Sequence, residues 1–468
     1  MTPLTRFAAG RHGLFLAHAF GKRYDLPIPL YLFVAGGAVI VFVSFLIVLP
    51  TPVATGPLIV AEDRTRGPRH GARAAVSVGG VVLLCLAAGL AGSQLVAENI
   101  LPTVFWLIVW IAVPISCGLL GDWTRPVNPF AALAGAVDRA SVRRVVLGGP
   151  ALAWPRWLGW WPATVLFFAF ASGELIFNAT ATLPQVTALG LICYGLLTAV
   201  GAVVFGAERW LERGELFSVL FATWGRLGWF RFGAAGRRGP LGGLDGTVFE
   251  PTVSRVSFVL LLLVSVSFDG LLATPSWKNA RLYLSLHVSR GFVPGTMVYE
   301  LGEVVVFLAL LGFAWLLFGG FAWAVKRAGR LGGGPVHAIA GLLPSVLPIS
   351  LGYLVAHNLE YLFINGQLLL PLLGNPAGLR SWPRIPYPFN DNYEVNINLV
   401  PSSVAWYIAV ALIILVHVAA VVLAHRYLAR TARPERARRA EWPWIAAMVG
   451  YTMSSLWLLA QPIAQGGG

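Results

Sequence analysis

The run SRVSFVLLLLVSVSFDGLLA, residues 254–273, decides the fold class of this chain. It is as long as a helix must be to cross the hydrocarbon core of a bilayer, which takes about 20 residues. Its charged side chains are Arg255 at one end and Asp269 near the other. A carboxylate within a bilayer costs roughly 2.5–3.5 kcal/mol on insertion scales, so Asp269 must face protein or water. The run therefore predicts a membrane-spanning helix that carries a functional acid.

The composition of the whole chain agrees with a membrane protein. Of its 468 residues, 57% are hydrophobic and only 12% are charged, whereas a soluble domain carries about 25% charged residues. The formal net charge of +14 predicts basic cytoplasmic loops, not a nucleic-acid partner. The three cysteines lie in apolar runs without metal-binding spacing, so we interpret them as small core residues. They are Cys85, Cys117 and Cys193.

Ten apolar runs are long enough to cross a membrane. They cover residues 28–50, 74–92, 99–120, 157–177, 186–206, 254–273, 296–324, 336–370, 402–428 and 441–464. The sequence thus predicts an all-α polytopic transmembrane helix bundle of about ten spans, forming one integral-membrane domain over 1–468. Its parts are an N-terminal arm at 1–27, spans one to eight at 28–370, a loop at 371–401, and the last two spans and tail at 402–468.

Two of these runs are longer than the bilayer is thick. The run 336–370 contains Pro344 and Pro348, which predict a kink or break and freed backbone carbonyls. The run 296–324 is expected to tilt or to protrude.

Lys and Arg indicate the orientation. With the N-terminus outside, the five cytoplasmic segments hold 25 of the 34 Lys and Arg, and the outer segments hold 9. The acids divide more evenly, 11 inside and 9 outside. Four basic residues before the first span favour the opposite orientation, but the alternation of the other loops outweighs them. We therefore predict an N-terminus outside and extracytoplasmic.

This topology brings the ionisable residues of the spans to the outer membrane face. Each lies near the outer end of its apolar run, or just before the first one. Seven such residues at one depth indicate a site. They are Asp25, Glu174, Asp269, Glu300, Glu303, His357 and Glu360.

His357 and Glu360 are three residues apart, so they share one face of a helix. Imidazole and carboxylate ligands suit zinc, manganese or iron, and a divalent ion lowers the pKa of bound water for hydrolysis. We expect His357, Glu360, Glu300 and Asp269 as ligands. Glu303 or Glu174 would be the general base. The same carboxylates could instead carry protons or cations in a transporter.

Two outer segments are candidates to complete the site. In the N-terminal arm, His18 and Asp25 would add ligands from above, or the arm is a solvated interfacial segment. The 371–401 loop is rich in aromatic and amide side chains, which predicts either a substrate lid or a plain interfacial loop. The lid residues would be Trp382, Tyr387, Asp391 and Tyr393. His417, in the middle of a span, is expected to be a buried hydrogen-bonded residue.

Several stretches resemble a family of polytopic bacterial membrane proteins named fenitrothion hydrolase. They are His18–Pro27, Asn128–Phe130, Ser267–Gly270, Pro348–Gln367, Trp406–Tyr407 with His417 and His425, and Ala447–Thr452 with Leu456–Trp457. The resemblance runs along nearly the whole chain and implies a shared fold and an organophosphate hydrolase activity. At Leu354, however, the family pattern has a second histidine. Leu354 removes that candidate ligand, while Glu360 supplies another one turn after His357.

Together these patterns predict a metal-dependent hydrolase in the bacterial inner membrane. Its substrate would be a small apolar ester of the organophosphate type, reaching an outward-facing polar site through the lipid bilayer. The first alternative is a transporter or metal-handling permease. The second is a non-catalytic subunit with a membrane-protein partner. No nucleic-acid partner is expected.

Overall fold

The computed structural model describes residues 28–50, 58–60, 72–232, 239, 241–287, 293, 295–383 and 385–464. Helices predominate, so the all-α prediction is confirmed. Within these residues, β-structure is a two-residue parallel pairing of β1, Ile59–Val60, with β2, Thr247–Val248. His18 and Asp25 lie outside the described residues.

The chain forms two compact units. Of the described residues, the first contains 72–232, 239, 358–383 and 385–401, and the second contains 28–50, 58–60, 241–287, 293, 295–357 and 402–464. The helices of the first unit are α2 (Ala72–Ala91), α3 (Ile100–Leu120), α4 (Pro129–Val137), α5 (Ala140–Leu147), α6 (Trp161–Leu175), α7 (Asn178–Ala181), α8 (Pro184–Phe205), α9 (Ala207–Arg213), α10 (Leu216–Trp224) and α15 (Leu369–Gly374). Those of the second are α1 (Leu30–Val48), α11 (Val253–Leu272), α12 (Pro275–His287), α13 (Met297–Gly329), α16 (Ser402–Thr431) and α17 (Pro434–Ala464). The helix α14 (Pro335–Asn365) begins in the second unit, and its last turns belong to the first.

Eight helical segments of the described chain are long and apolar enough to cross a membrane, which supports a multi-pass protein. They are α1, α3, α8, α11, α13, α14 with α15, α16 and most of α17. The other two predicted spans are also helical. The helix α2 covers Ala72–Ala91, close to the predicted run 74–92, whereas α6 has 15 residues. In the described chain, eight of the ten predicted spans thus have the length and hydropathy of a full span.

The prolines of α14 do not end the helix, which runs unbroken from Pro335 to Asn365. Pro344 lacks the N–H that would bond to the carbonyl of Ala340. The backbone N–H of Phe249 donates to that freed carbonyl at 3.3 Å. The expected break is therefore absent, and a neighbouring segment supplies a donor to the carbonyl that Pro344 frees.

Aromatic packing dominates the first unit. The middle of α3, Thr103–Ala112, is π-helical and carries Trp106 and Trp110. The Trp110 ring stacks on Phe167 of α6, with centroids 5.4 Å apart. Nearby, the backbone N–H of Ser93 donates to the carbonyl of Ala377 at 2.7 Å. The segment after α15 is thereby held against the α2–α3 junction.

In the second unit α11 is the central helix, since most of its residues are buried. It packs against α13 and α17, and α17 also packs against α1 and α16. Gly37 lets α1 approach α17 closely, because a Cβ at this position would lie 2.5 Å from Leu456. The end of α11 therefore presents Asp269 to neighbouring helices.

Candidate functional site

His357 and Asp269 meet in the second unit. The Nε2 atom of His357 on α14 lies 2.5 Å from Oδ2 of Asp269 on α11. The His357 side chain is 3% exposed and that of Asp269 is 21% exposed. Gly270 permits this approach, because a Cβ there would come within 3.0 Å of the hydroxyl of Tyr353. Two residues predicted for the site thus form a pair of a buried imidazole and a partly exposed carboxylate.

Glu303 lies in a second polar group at the start of α13. It is buried and accepts a hydrogen bond from the Tyr299 hydroxyl. Arg281 of α12 donates to that hydroxyl at 2.9 Å, with its guanidinium 5.4 Å from the centre of the ring. Glu300, three residues before Glu303, is only partly buried. The two glutamates therefore differ in environment, although they were expected to point at one locus.

The remaining predicted carboxylates belong to the first unit. Glu174 at the end of α6 accepts a hydrogen bond from Nε1 of Trp110 at 2.5 Å. The Glu174 carboxylate also interacts electrostatically with the Tyr361 side chain. Glu360 is buried in the last turns of α14. Glu174 and Glu360 lie in the first unit, whereas Asp269, Glu300, Glu303 and His357 lie in the second.

The expected metal ion needs at least three converging donors in most protein sites. Across the described ranges, no group of three or more His, Cys, Asp or Glu side chains is arranged to hold a metal ion. The described donors therefore do not fit a metal centre by themselves. The proposed ligands His18 and Asp25 lie outside those ranges, so the zinc, manganese or iron site stays a prediction.

The predicted lid is anchored at the end of α14. The side-chain oxygen of Gln367 accepts hydrogen bonds from the Tyr393 hydroxyl at 3.2 Å and from the Asn396 backbone at 3.0 Å. Tyr393 stacks on Tyr387, with ring centroids 5.9 Å apart. Three of the predicted lid side chains are exposed: Trp382, Tyr387 and Asp391. The segment thus has an ordered base and an exposed aromatic surface.

A polar cluster next to the His357–Asp269 pair was not predicted as part of the site. His417 of α16 is fully buried, as expected, and its Nδ1 lies 2.8 Å from the carbonyl of Ile413. Its ring centroid is 5.9 Å from that of Tyr451 on α17. The Tyr451 and Ser267 hydroxyls are hydrogen-bonded at 2.8 Å. Tyr451 and Ser267 lie in apolar runs, but such residues only weakly indicate a functional cluster, because each residue alone is common in a buried core.

Two further buried acids escaped the sequence analysis. In the second unit Glu441 of α17 pairs with Nδ1 of His425 at 2.9 Å. In the first unit Glu215 is fully buried, caps α10 and accepts a hydrogen bond from Tyr194. Glu215 sits just before the apolar stretch Leu216–Trp224, which was the available signal. A carboxylate before a short apolar helix is typical of an N-cap.

No family model, curated protein or solved structure matches the chain. The resemblance to the fenitrothion hydrolase family therefore stays a prediction.

Proposed function

We propose that this chain is a carrier of a small cation, a proton or a divalent metal ion, in the bacterial inner membrane. The observation that carries the proposal is the pair of His357, which is buried, and Asp269, which is partly exposed; their atoms Nε2 and Oδ2 are 2.5 Å apart. Ionisable residues within membrane spans are rare and are typical of ion pathways and proton relays.

The pair has the chemistry of a loading site. The carboxylate of Asp269 attracts a cation, while an imidazole such as that of His357 can exist with or without a second bound proton. With the proton on His357 the pair is neutral overall, and without it the site carries one negative charge. Binding and release of a cation can therefore be linked to the protonation of one side chain.

Glu303 supports the same proposal from the adjacent helix. The end of α11 is connected to the start of α13 through α12, and α11 and α13 pack against each other. Asp269 and Glu303 therefore lie towards the same end of the second unit. Arg281 holds Tyr299 by a hydrogen bond and by its position over the ring, which fixes the donor to Glu303. A second buried carboxylate at this end suits a cation entrance.

Transport measurements in proteoliposomes test the carrier. Vesicles containing the purified protein, loaded with a pH-sensitive or a divalent-cation-sensitive dye, receive a gradient of protons or of Zn²⁺ or Mn²⁺. We expect flux of one of these ions, reduced at least tenfold by Asp269→Asn and by His357→Gln, because each removes half of the pair. Glu394→Gln, which changes an exposed carboxylate of the 371–401 loop, serves as the matched control and is expected to transport normally. Wild-type vesicles that move neither ion type would contradict the proposal.

The second candidate is the metal-dependent hydrolase of small apolar esters that the resemblance implies. The observation that favours it is the anchored aromatic segment, where Trp382 and Tyr387 are exposed while Gln367 fixes the base. Aromatic surfaces on an ordered base suit a small amphipathic ligand.

Metal analysis tests this candidate directly. If it is correct, purified wild-type protein will contain about one divalent ion per chain, as a site with protein ligands would hold. His357→Ala and Glu300→Gln are expected to lose that ion, while Glu394→Gln, an exposed acid, retains it. Equal metal content in all four proteins would remove the case for a shared metal site.

A further inference from the structure

We propose that the transported ion is a proton and that Nε2 of His417 accepts it in the middle of the second unit. This inference rests on the proposed carrier function and names its ion and its route. The route runs from the His357–Asp269 pair past Tyr353, Ser267 and Tyr451 to His417, and then towards the His425–Glu441 pair.

The hydrogen bond at Nδ1 fixes which nitrogen of His417 is basic. The carbonyl of Ile413, 2.8 Å away, can only accept, so Nδ1 carries the hydrogen. In the neutral ring Nε2 then holds the lone pair. This atom is buried and has no hydrogen-bond partner among the described residues. An unsatisfied buried acceptor costs about 1–3 kcal/mol, and a purely structural histidine would not require this cost.

The groups around His417 lead back to the His357–Asp269 pair. Tyr451 faces the imidazole from α17, and its hydroxyl is bonded to Ser267, two residues before Asp269. On α14, Gly352 lies directly against Val416, because a Cβ there would be 2.5 Å from the Val416 side chain. The next residue, Tyr353, is buried one turn before His357, and its hydroxyl has no partner in the described part of the chain.

The titratable side chains near His417 on the neighbouring helices are two tyrosines, a histidine and an aspartate. α17 contributes Tyr451, α14 contributes Tyr353 and His357, and α11 contributes Asp269 behind Ser267. α1 packs against α16 and α17 but has no acidic, basic or histidine residue in Leu30–Val48. Hydroxyl and imidazole groups can each accept one proton while donating another, whereas they offer a divalent ion no set of anionic ligands.

The route has a second ionisable pair beyond His417. His425 lies eight residues further along α16, about 12 Å at the helical rise, and is buried against Glu441. On α17, between Glu441 and Tyr451 along the chain, Nε1 of Trp444 donates to the Ser345 hydroxyl at 3.2 Å. Buried polar groups without protein partners are usually bonded to ordered water. Such water would connect His417 to the His425–Glu441 pair.

Each transfer in this route conserves protons. An O–H or N–H bond breaks at one group as a new bond forms at the next, and no electron changes hands. His417 gains a proton on Nε2, becomes an imidazolium ion, and returns to the neutral Nδ1–H form when the proton passes on. The net result is one proton moved along the second unit.

Parallel flux assays in proteoliposomes test the route. Proton and Zn²⁺ or Mn²⁺ fluxes are compared for wild type, His417→Gln, Tyr451→Phe and Thr452→Val. We expect wild-type vesicles to conduct protons, and the first two variants to conduct at least tenfold fewer. Tyr451→Phe removes only a hydroxyl, so it provides a test even if His417→Gln does not fold. Thr452→Val is the matched control, since the Thr452 hydroxyl is tied to the carbonyl of Met448 in its own helix.

The outcomes separate this inference from the carrier proposal. Normal proton flux in both His417→Gln and Tyr451→Phe overturns the route but leaves the carrier. Flux of Zn²⁺ or Mn²⁺ without protons, abolished by Asp269→Asn, likewise overturns the route and supports a metal carrier. If wild type moves no ion at all, both proposals are wrong. Loss of proton flux in the two variants, but not in Thr452→Val, supports the route.

Discussion

Glu215→Ala is expected to lower the free energy of unfolding of the protein by about 3 kcal/mol, because a buried donor left without an acceptor costs about 1–3 kcal/mol. The Glu215 carboxylate accepts backbone hydrogen bonds from Phe217 and Ser218 at 3.1 and 2.7 Å, and it also accepts from the Tyr194 hydroxyl. Asn128 donates to it at 3.3 Å. Alanine would leave these donors buried without an acceptor.

Titration with SDS in mixed micelles, followed by circular dichroism, measures this effect. Glu215→Gln keeps one carbonyl oxygen and is expected to cost less than alanine. The control is Glu208→Ala, seven residues earlier, whose side chain is exposed. Surface substitutions of this kind change stability by about 1 kcal/mol or less. Equal unfolding curves for Glu215→Ala and Glu208→Ala would show that the buried network contributes nothing to stability.

The long helices were predictable because one physical quantity determines them. Runs such as Met297–Gly329 are apolar over more than a bilayer thickness, so hydropathy alone reveals the helix. The span predicted at 157–177 was overestimated for the same reason, since hydropathy does not show where a helix ends. α6 ends at Leu175, before the separate short helix α7, and the apolar residues on either side of it extended the predicted span.

The continuity of α14 could not be read from the sequence. Two prolines predict a disturbed helix because each removes a backbone donor. Whether the helix continues depends on a donor from elsewhere, here the N–H of Phe249, which is more than 90 residues away. Only the folded chain brings that donor to the carbonyl of Ala340.

The site was predictable in its residue types but not in its pairing. Spacing along one helix favoured Glu360 as the companion of His357, because residues three apart share a face. The contact that the structure shows joins His357 to Asp269, which was predicted for the same site but lies on a different helix. Sequence spacing reports neighbours within a helix, whereas contacts between helices depend on how the helices pack. The same limitation concealed the ring beside His417, since Tyr451 lies on α17.

The His357–Asp269 pair offers a test in which stability and transport give different answers. Asp269→Leu alone is expected to lower the free energy of unfolding by about 3 kcal/mol, because it leaves His357 buried without its carboxylate. His357→Leu alone should have a similar effect. The double variant is expected to regain most of the loss, since buried ion pairs can often be replaced by apolar side chains at little cost.

A double-mutant cycle measured by SDS titration gives the coupling energy of the pair, and flux through the same four proteins gives its functional role. A structural pair would recover both stability and transport in the double variant. A loading site must recover stability only, because two leucines restore packing but provide no group that binds a cation. Additive losses of stability would show that the two side chains do not interact. Restored flux in the double variant would place the ion route elsewhere. The cycle therefore distinguishes a structural role of the pair, which stabilises helix packing, from a functional role in binding the transported ion. A single substitution affects both roles at once.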